Sequence, residues 1–172
     1  MATLAELLAS SLAALKQVQQ SGDFTIVKSG ELSPTHLKRL LANHFLMPVI
    51  KGWYIVTDPR AVPGDSTAWY ASFWNFILRY ATERYGKEWC LSAEQSLAIY
   101  SGSTTVPKQV LIRSPKGNNN SLELLPPTSL FNLEAALPSR IDTDNPYRLN
   151  LYPLAEAIIA ATPAIYKSDA TT

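Results

Sequence analysis

What most restricts this chain is a Ser-Pro step, then leucines at helical spacing, then two apolar runs split by Lys51-Gly52. In the stretch from Leu32 to Asp58, Ser33 can accept from the first unpaired N–H groups of a helix. Pro34 suits the first helical position, where no N–H is needed. Leu37, Leu40 and Leu41 share one face, and Thr35, Lys38, Arg39 and Ala42 lie opposite. Asn43 and His44 are the expected helix stop, with His44 suited to a left-handed backbone position. Phe45–Ile50 and Trp53–Thr57 then read as two strands joined by a two-residue turn. Pro48 cannot donate to a ladder, which puts its strand at a sheet edge or its nitrogen at a non-pairing site. The whole reads as the core of a winged helix-turn-helix.

A short helix with a polar outer face fits a major groove, and a basic hairpin tip beside it reaches the phosphate backbone. The candidate DNA contacts are Thr35, His36, Lys38, Arg39 and Asn43 on the helix and Lys51 at the hairpin tip. The other reading of the same residues is a compact protein-interaction module, since the cations are few. His36 by itself is either a contact or an inert surface residue.

Net charge bears on that choice. The 172 residues carry 15 Lys and Arg against 14 Asp and Glu, for a formal charge of +1. Nothing pulls the whole molecule toward a polyanion, so binding must come from a local patch or from a dimer. One cysteine excludes an internal disulfide, and with two scattered histidines it offers no zinc spacing. Cys90 reads as a buried filler. The apolar N-terminal segment lacks a basic leading stretch and carries Glu6, unlike a secretory signal. No run reaches the ~20 apolar residues of a membrane span. The expected location is the cytoplasm.

The other elements follow from periodicity. Thr3–Gln20 is an expected amphipathic helix, with Leu4, Leu7, Leu8, Leu12, Leu15 and Val18 at three-and-four spacing. Thr25–Lys28 is a short extended run. Pro59–Gly64 holds two prolines and a glycine and is the linker candidate. Asp65 can cap a long helix through Tyr85 that is apolar nearly all round, with Trp69, Phe73, Phe76, Ile77 and Tyr80 on one face. Such a helix belongs inside a fold and is expected to be the central element of a second domain. A strand at Glu88–Leu91 and a helix from Ser92 to Tyr100 follow. Val106–Arg113 and Ser121–Leu125 read as a hairpin, and Thr128–Leu137 has no clear pattern. Arg148–Tyr152 reads as a last strand, Leu154–Ala161 as a last helix, and Lys167–Thr172 as a polar tail. The expected fold class is α+β. A winged helix-turn-helix at 1–60 is followed at 65–172 by a small α/β domain built on the aromatic-rich helix.

A catalytic reading finds little to work with. There is no Walker-type glycine loop and no G-x-S-x-G elbow, and neither histidine sits beside a nucleophile. Gly102-Ser103 and the distant Asp142-Thr143-Asp144 are too far apart for the metal-holding pair of a nucleotidyltransferase. An enzyme would need Glu94, Asp142 and Asp144, or an equivalent set, to converge. The expectation is no enzyme, no cofactor and no metal.

The run ELSPTHLKRLLANHFLMPVIKGWYIV resembles the N-terminal winged-helix unit of AbiEi-type antitoxins of abortive-infection systems. GDSTAWYASFWNF, WCLSAEQSLAIYSG, VPKQVLIRSPKGNNN and TSLFNLEAALP are similar to the region ahead of some bacterial Fic (cell filamentation) proteins, itself AbiEi-like. Together these runs cover about Leu15 to Tyr166. The resemblance implies a transcriptional regulator that binds double-stranded operator repeats in its own promoter and engages a toxin through its second domain; a homodimer is one form in which it could bind. Thr35, Lys38 and Arg39 fall where the family's recognition helix is polar and basic, and Lys51 where its wing is basic. Family helices commonly carry several arginines and end at Gly. This one has a single Lys-Arg pair and His44, and the segment before it is short. The alternative is the non-catalytic front region of a Fic-family adenylyltransferase. The His-Pro-Phe and Gly-Asn-Gly-Arg signature of Fic catalysis is absent from the chain.

Overall fold

A computed structural model describes residues 3–22 and 25–163. The architecture is α+β, with five helices and two small sheets among the described residues. The chain divides into two compact units, one up to Phe76 and one from Ile77 on. That division falls inside a helix and not in the linker expected at 59–64.

In the first unit, α1 (Leu4–Ser21) opens with a capping box. Thr3 Oγ1 accepts from Glu6 N at 3.2 Å, and Glu6 Oε2 accepts from Thr3 N at 2.6 Å. Strand β1 (Ile26–Lys28) leads through a 3-10 turn, Ser29–Glu31, to α2 (Pro34–Ala42). Ser33 Oγ caps α2 by accepting from His36 N at 3.3 Å, and His44 then reverses the chain at φ 59°. Strands β2 (Leu46–Ile50) and β3 (Trp53–Val56) form the hairpin, with Gly52 at φ 82° in its turn. The antiparallel sheet runs β1-β3-β2, so Pro48 does sit on an edge strand, beside a register shift before Ile50.

Both faces of this sheet are covered. Val27, Leu46, Tyr54 and Val56 pack with Leu15, Leu32 and Leu40 of the α1–α2 layer. Ile26, Trp53 and Ile55, buried on the opposite face by strand alternation, lie on the side of α3 (Thr67–Tyr85). Phe76 meets Trp53 edge-on at 5.7 Å between ring centroids, and Trp69 meets Phe73 and Phe76 at 5.3 and 5.5 Å. Asn75 Nδ2 also donates to Thr25 Oγ1 at 3.4 Å. The aromatic stripe thus serves the first unit as far as Phe76. This corrects the reading of α3 as the scaffold of the second domain alone. A three-stranded sheet with two apolar faces needs a second cover, and Trp69, Phe73 and Phe76 supply it.

The second unit holds a four-stranded sheet ordered β4-β5-β7-β6: β4 (Cys90–Leu91), β5 (Gln109–Ser114), β6 (Asn120–Glu123) and β7 (Ser129–Glu134). Here the expected β5–β6 hairpin does not exist. β7, from the stretch without a clear pattern, lies between them, parallel to β5 and antiparallel to β6. Gly117 permits the arrangement, because a Cβ there would stand 2.4 Å from the backbone C and O of Leu133. Arg148–Tyr152 is not a strand; it contributes one bridge, Leu151 to Asp142. Helices α4 (Ala93–Tyr100) and α5 (Leu154–Ala160) pack together, with Cys90, Ala93, Tyr152, Ala157 and Ala161 forming a small core. Ser92 caps α4 as expected. The polar tail lies outside the described residues. Among those residues no helix is long and apolar enough to cross a membrane.

Candidate nucleic-acid interface

The leucines of α2 set how its other side chains are presented. Leu40 is fully buried and Leu37 and Leu41 are half-buried, which turns Thr35, Lys38 and Ala42 to solvent. His36 and Arg39, between these two faces, turn toward α1. His36 Nδ1 lies 3.0 Å from Ser11 Oγ. Arg39 Nη1 donates to Leu7 O at 3.0 Å and to Ser11 Oγ at 2.8 Å. Asn43 is exposed and its Nδ2 donates to Arg39 O at 2.8 Å, closing the helix end. Lys51 is exposed in the β2–β3 turn.

Six candidate contacts therefore fall into three groups. Thr35, Lys38 and Lys51 stand clear in solvent, Asn43 acts locally as a helix terminator, and His36 and Arg39 join the α1–α2 seam. Nothing in the helical spacing points to Ser11 as their partner, because that pairing spans 25 and 28 residues.

A further cation emerges from the sheet register. Lys28 is paired with Trp53 across β1 and β3, and its Nζ sits 5.1 Å from the Trp53 ring centre. Ser29 N donates to Gly52 O at 2.9 Å, which ties the end of β1 to the hairpin turn that carries Lys51. A basic residue directly before Ser-Gly was the only hint in the sequence, and without the pairing it had no meaning.

An open groove of about 910 Å³ separates the end of α2 and β2 from the 57–66 loop and the first residues of α3. Its walls include Leu41, Met47, Pro48 and Val62, together with Asp58 and Asp65. Hydrogen bonds from Arg60 hold the Asp58 carboxyl below its usual range, and those from Thr67 do the same for Asp65. No lysine or arginine is among its walls and Arg60 Nη2 pairs with Asp58 at 3.0 Å, so the walls themselves supply no cation for a polyanion.

Two of the three carboxylates named for a catalytic reading, Asp142 and Glu94, accept hydrogen bonds from the protein itself. Asp142 accepts from Tyr100 Oη at 2.8 Å and from Asp144 N at 2.9 Å, and Glu94 accepts from Thr162 N at 3.1 Å. Among the described residues no group of three His, Cys, Asp or Glu side chains is placed to hold a metal ion. No family model, curated protein or solved structure matches the chain.

Proposed function

We propose that the first unit is a winged helix that binds duplex DNA. In this reading the chain is a transcriptional regulator of antitoxin type, controlling its own operon and engaging a toxin through the second unit. One observation carries it. The order α1-β1-turn-α2-β2-β3, with the sheet ordered β1-β3-β2, sets a capped helix with a polar outer stripe directly before a hairpin tipped by Lys51. A helix presented this way fits the major groove, and the hairpin then lies along the backbone, where Lys51 and Lys28 meet phosphates. A short 3-10 turn stands where a full helix would precede α2, which accounts for the compressed segment before Ser33.

The test is fluorescence anisotropy on duplexes from the region upstream of the gene, across salt concentrations. Each neutralised phosphate contributes about −0.9 to the slope of log affinity against log salt. With three or four cations at the interface the expected slope is about −3. Affinity that does not change between about 50 and 200 mM salt rejects the reading.

A second reading, the non-catalytic front of a Fic-family adenylyltransferase, is favoured by one observation. The outer stripe of α2 carries a single exposed cation, Lys38. In that case the chain binds protein and leaves duplex DNA alone at low salt.

A further inference from the structure

The seam between α1 and α2 holds a polar cluster that the leucine pattern does not explain. Ser11 is completely buried. Its Oγ accepts from Arg39 Nη1 at 2.8 Å and lies 3.0 Å from His36 Nδ1. The same Nη1 donates to Leu7 O at 3.0 Å, so both of its hydrogens are used. Three further N–H donors remain on Nε and Nη2. None of them meets an acceptor among the described residues, and no carboxylate pairs with the guanidinium there. Neither atom is among those sealed from solvent without a partner.

His36 shows the same division between an anchored side and an open one. Ser11 Oγ donates its single proton to Leu7 O at 3.1 Å. With that proton on Leu7 O, Oγ accepts from Arg39 Nη1 and, through its other lone pair, from His36 Nδ1–H. In the charged ring, Nδ1 donates to Oγ and Nε2 keeps its hydrogen. In that charged form His36 offers a donor at Nε2, an atom with no partner among the described residues.

We propose that this cluster is a preformed site for one backbone phosphate of duplex DNA. The Nε–Nη2 edge of Arg39 takes two phosphate oxygens side by side, His36 in its charged form donates a further bond from Nε2, and Ser11 holds both side chains in place. The inference rests on the DNA-binding reading above and adds α1 to that interface, with Ser11 as a positioning residue. The chemistry matches at each point. A planar guanidinium edge fits an oxyanion through two parallel bonds, and a fork already anchored through its third nitrogen loses less freedom on binding. An arginine serving only as a helix–helix strut has no need to leave its charge unpaired.

The test uses the full chain with duplex DNA and, separately, with inorganic phosphate. Arg39→Met is expected to reduce the salt slope by about 0.9, the share of one phosphate. Arg39→Lys keeps the charge and the slope but weakens affinity, since an ammonium cannot make the paired bonds. Ser11→Ala is expected to keep the slope and weaken affinity about three- to tenfold, through lost orientation. The Arg39 Nε–H resonance should shift with both ligands. A folded Arg39→Met protein with the wild-type slope overturns the site, and Ser11→Ala with wild-type affinity overturns the anchor. If phosphate moves the Arg39 signal and duplex does not bind, the DNA reading falls and the oxyanion site stands. Duplex binding with a silent Arg39 signal removes the site and leaves the reading intact, and silence toward both ligands removes both.

Discussion

Replacing Phe76 by alanine tests where the aromatic helix belongs. The ring is fully buried, with edge-on neighbours at 5.7 Å (Trp53) and 5.5 Å (Trp69). Truncating a core phenylalanine costs about 3–5 kcal/mol, from lost transfer energy and the cavity left behind. Two edge-to-face pairs are lost as well, each worth about 0.5–1.5 kcal/mol beyond its area. Much of that second loss is already contained in the measured range, so the expected cost is about 4 kcal/mol. In a chain of this length 1 kcal/mol moves the melting temperature by about 2–4 °C, so Phe76→Ala should melt about 8–16 °C lower. Thermal unfolding followed by near-ultraviolet circular dichroism reads both the melting temperature and the asymmetric packing of Trp53. Phe76→Leu keeps most of the volume and should cost well under half as much. A drop of less than about 3 °C for Phe76→Ala, with an unchanged tryptophan signal, would refute the assignment of this turn of α3 to the first sheet.

Three further outcomes are expected. Gly117→Ala sets a Cβ 2.4 Å from the Leu133 carbonyl group and 2.5 Å from Glu134 N, all backbone, so β7 must shift. The loss is expected at the upper end of the about 1–3 kcal/mol of overpacking, and chemical denaturation with an unchanged midpoint contradicts it. Cys90 is fully buried, and burial pushes its thiol up to about 12. A thiol reagent at neutral pH should find no reactive sulfur in the native protein and one after denaturation, and rapid native labelling contradicts the placement. Hydrogen bonds from the backbone of Asp144 and from Tyr100 hold the Asp142 carboxyl below its ordinary value of 3.8. A lowered folded value means the stabilisation is complete above the unfolded value and is lost as pH falls through the folded one. The wild type should therefore lose more melting temperature on acidification from about pH 5 than Asp142→Asn does, and parallel curves contradict it.

Much of the chain was legible because its signals are local. Ser33-Pro34 and Ser92 start their helices through hydrogen bonds spanning three residues, and His44 stops α2 with left-handed backbone at φ 59°. Lys51-Gly52 turns the hairpin, and Pro48 sits on its edge strand. In each case the deciding atoms are neighbours in the chain, so residue type and spacing suffice.

Other features were settled only by tertiary packing. Apolar periodicity shows that α3 must be buried, but not against what. Trp53 and Phe76, 23 positions apart in the numbering, answer that for its first half. The same limit hid β7. Ser129–Glu134 has no strong alternation, and it becomes a strand because β5 and β6 leave a gap that Gly117 keeps open. Arg39 is the sharpest case. Its spacing puts it on the polar side of α2, yet a serine 28 residues away, on another helix, decides which way its charge points. A residue's type fixes which bonds it can make, and only the folded chain determines which partners come within reach.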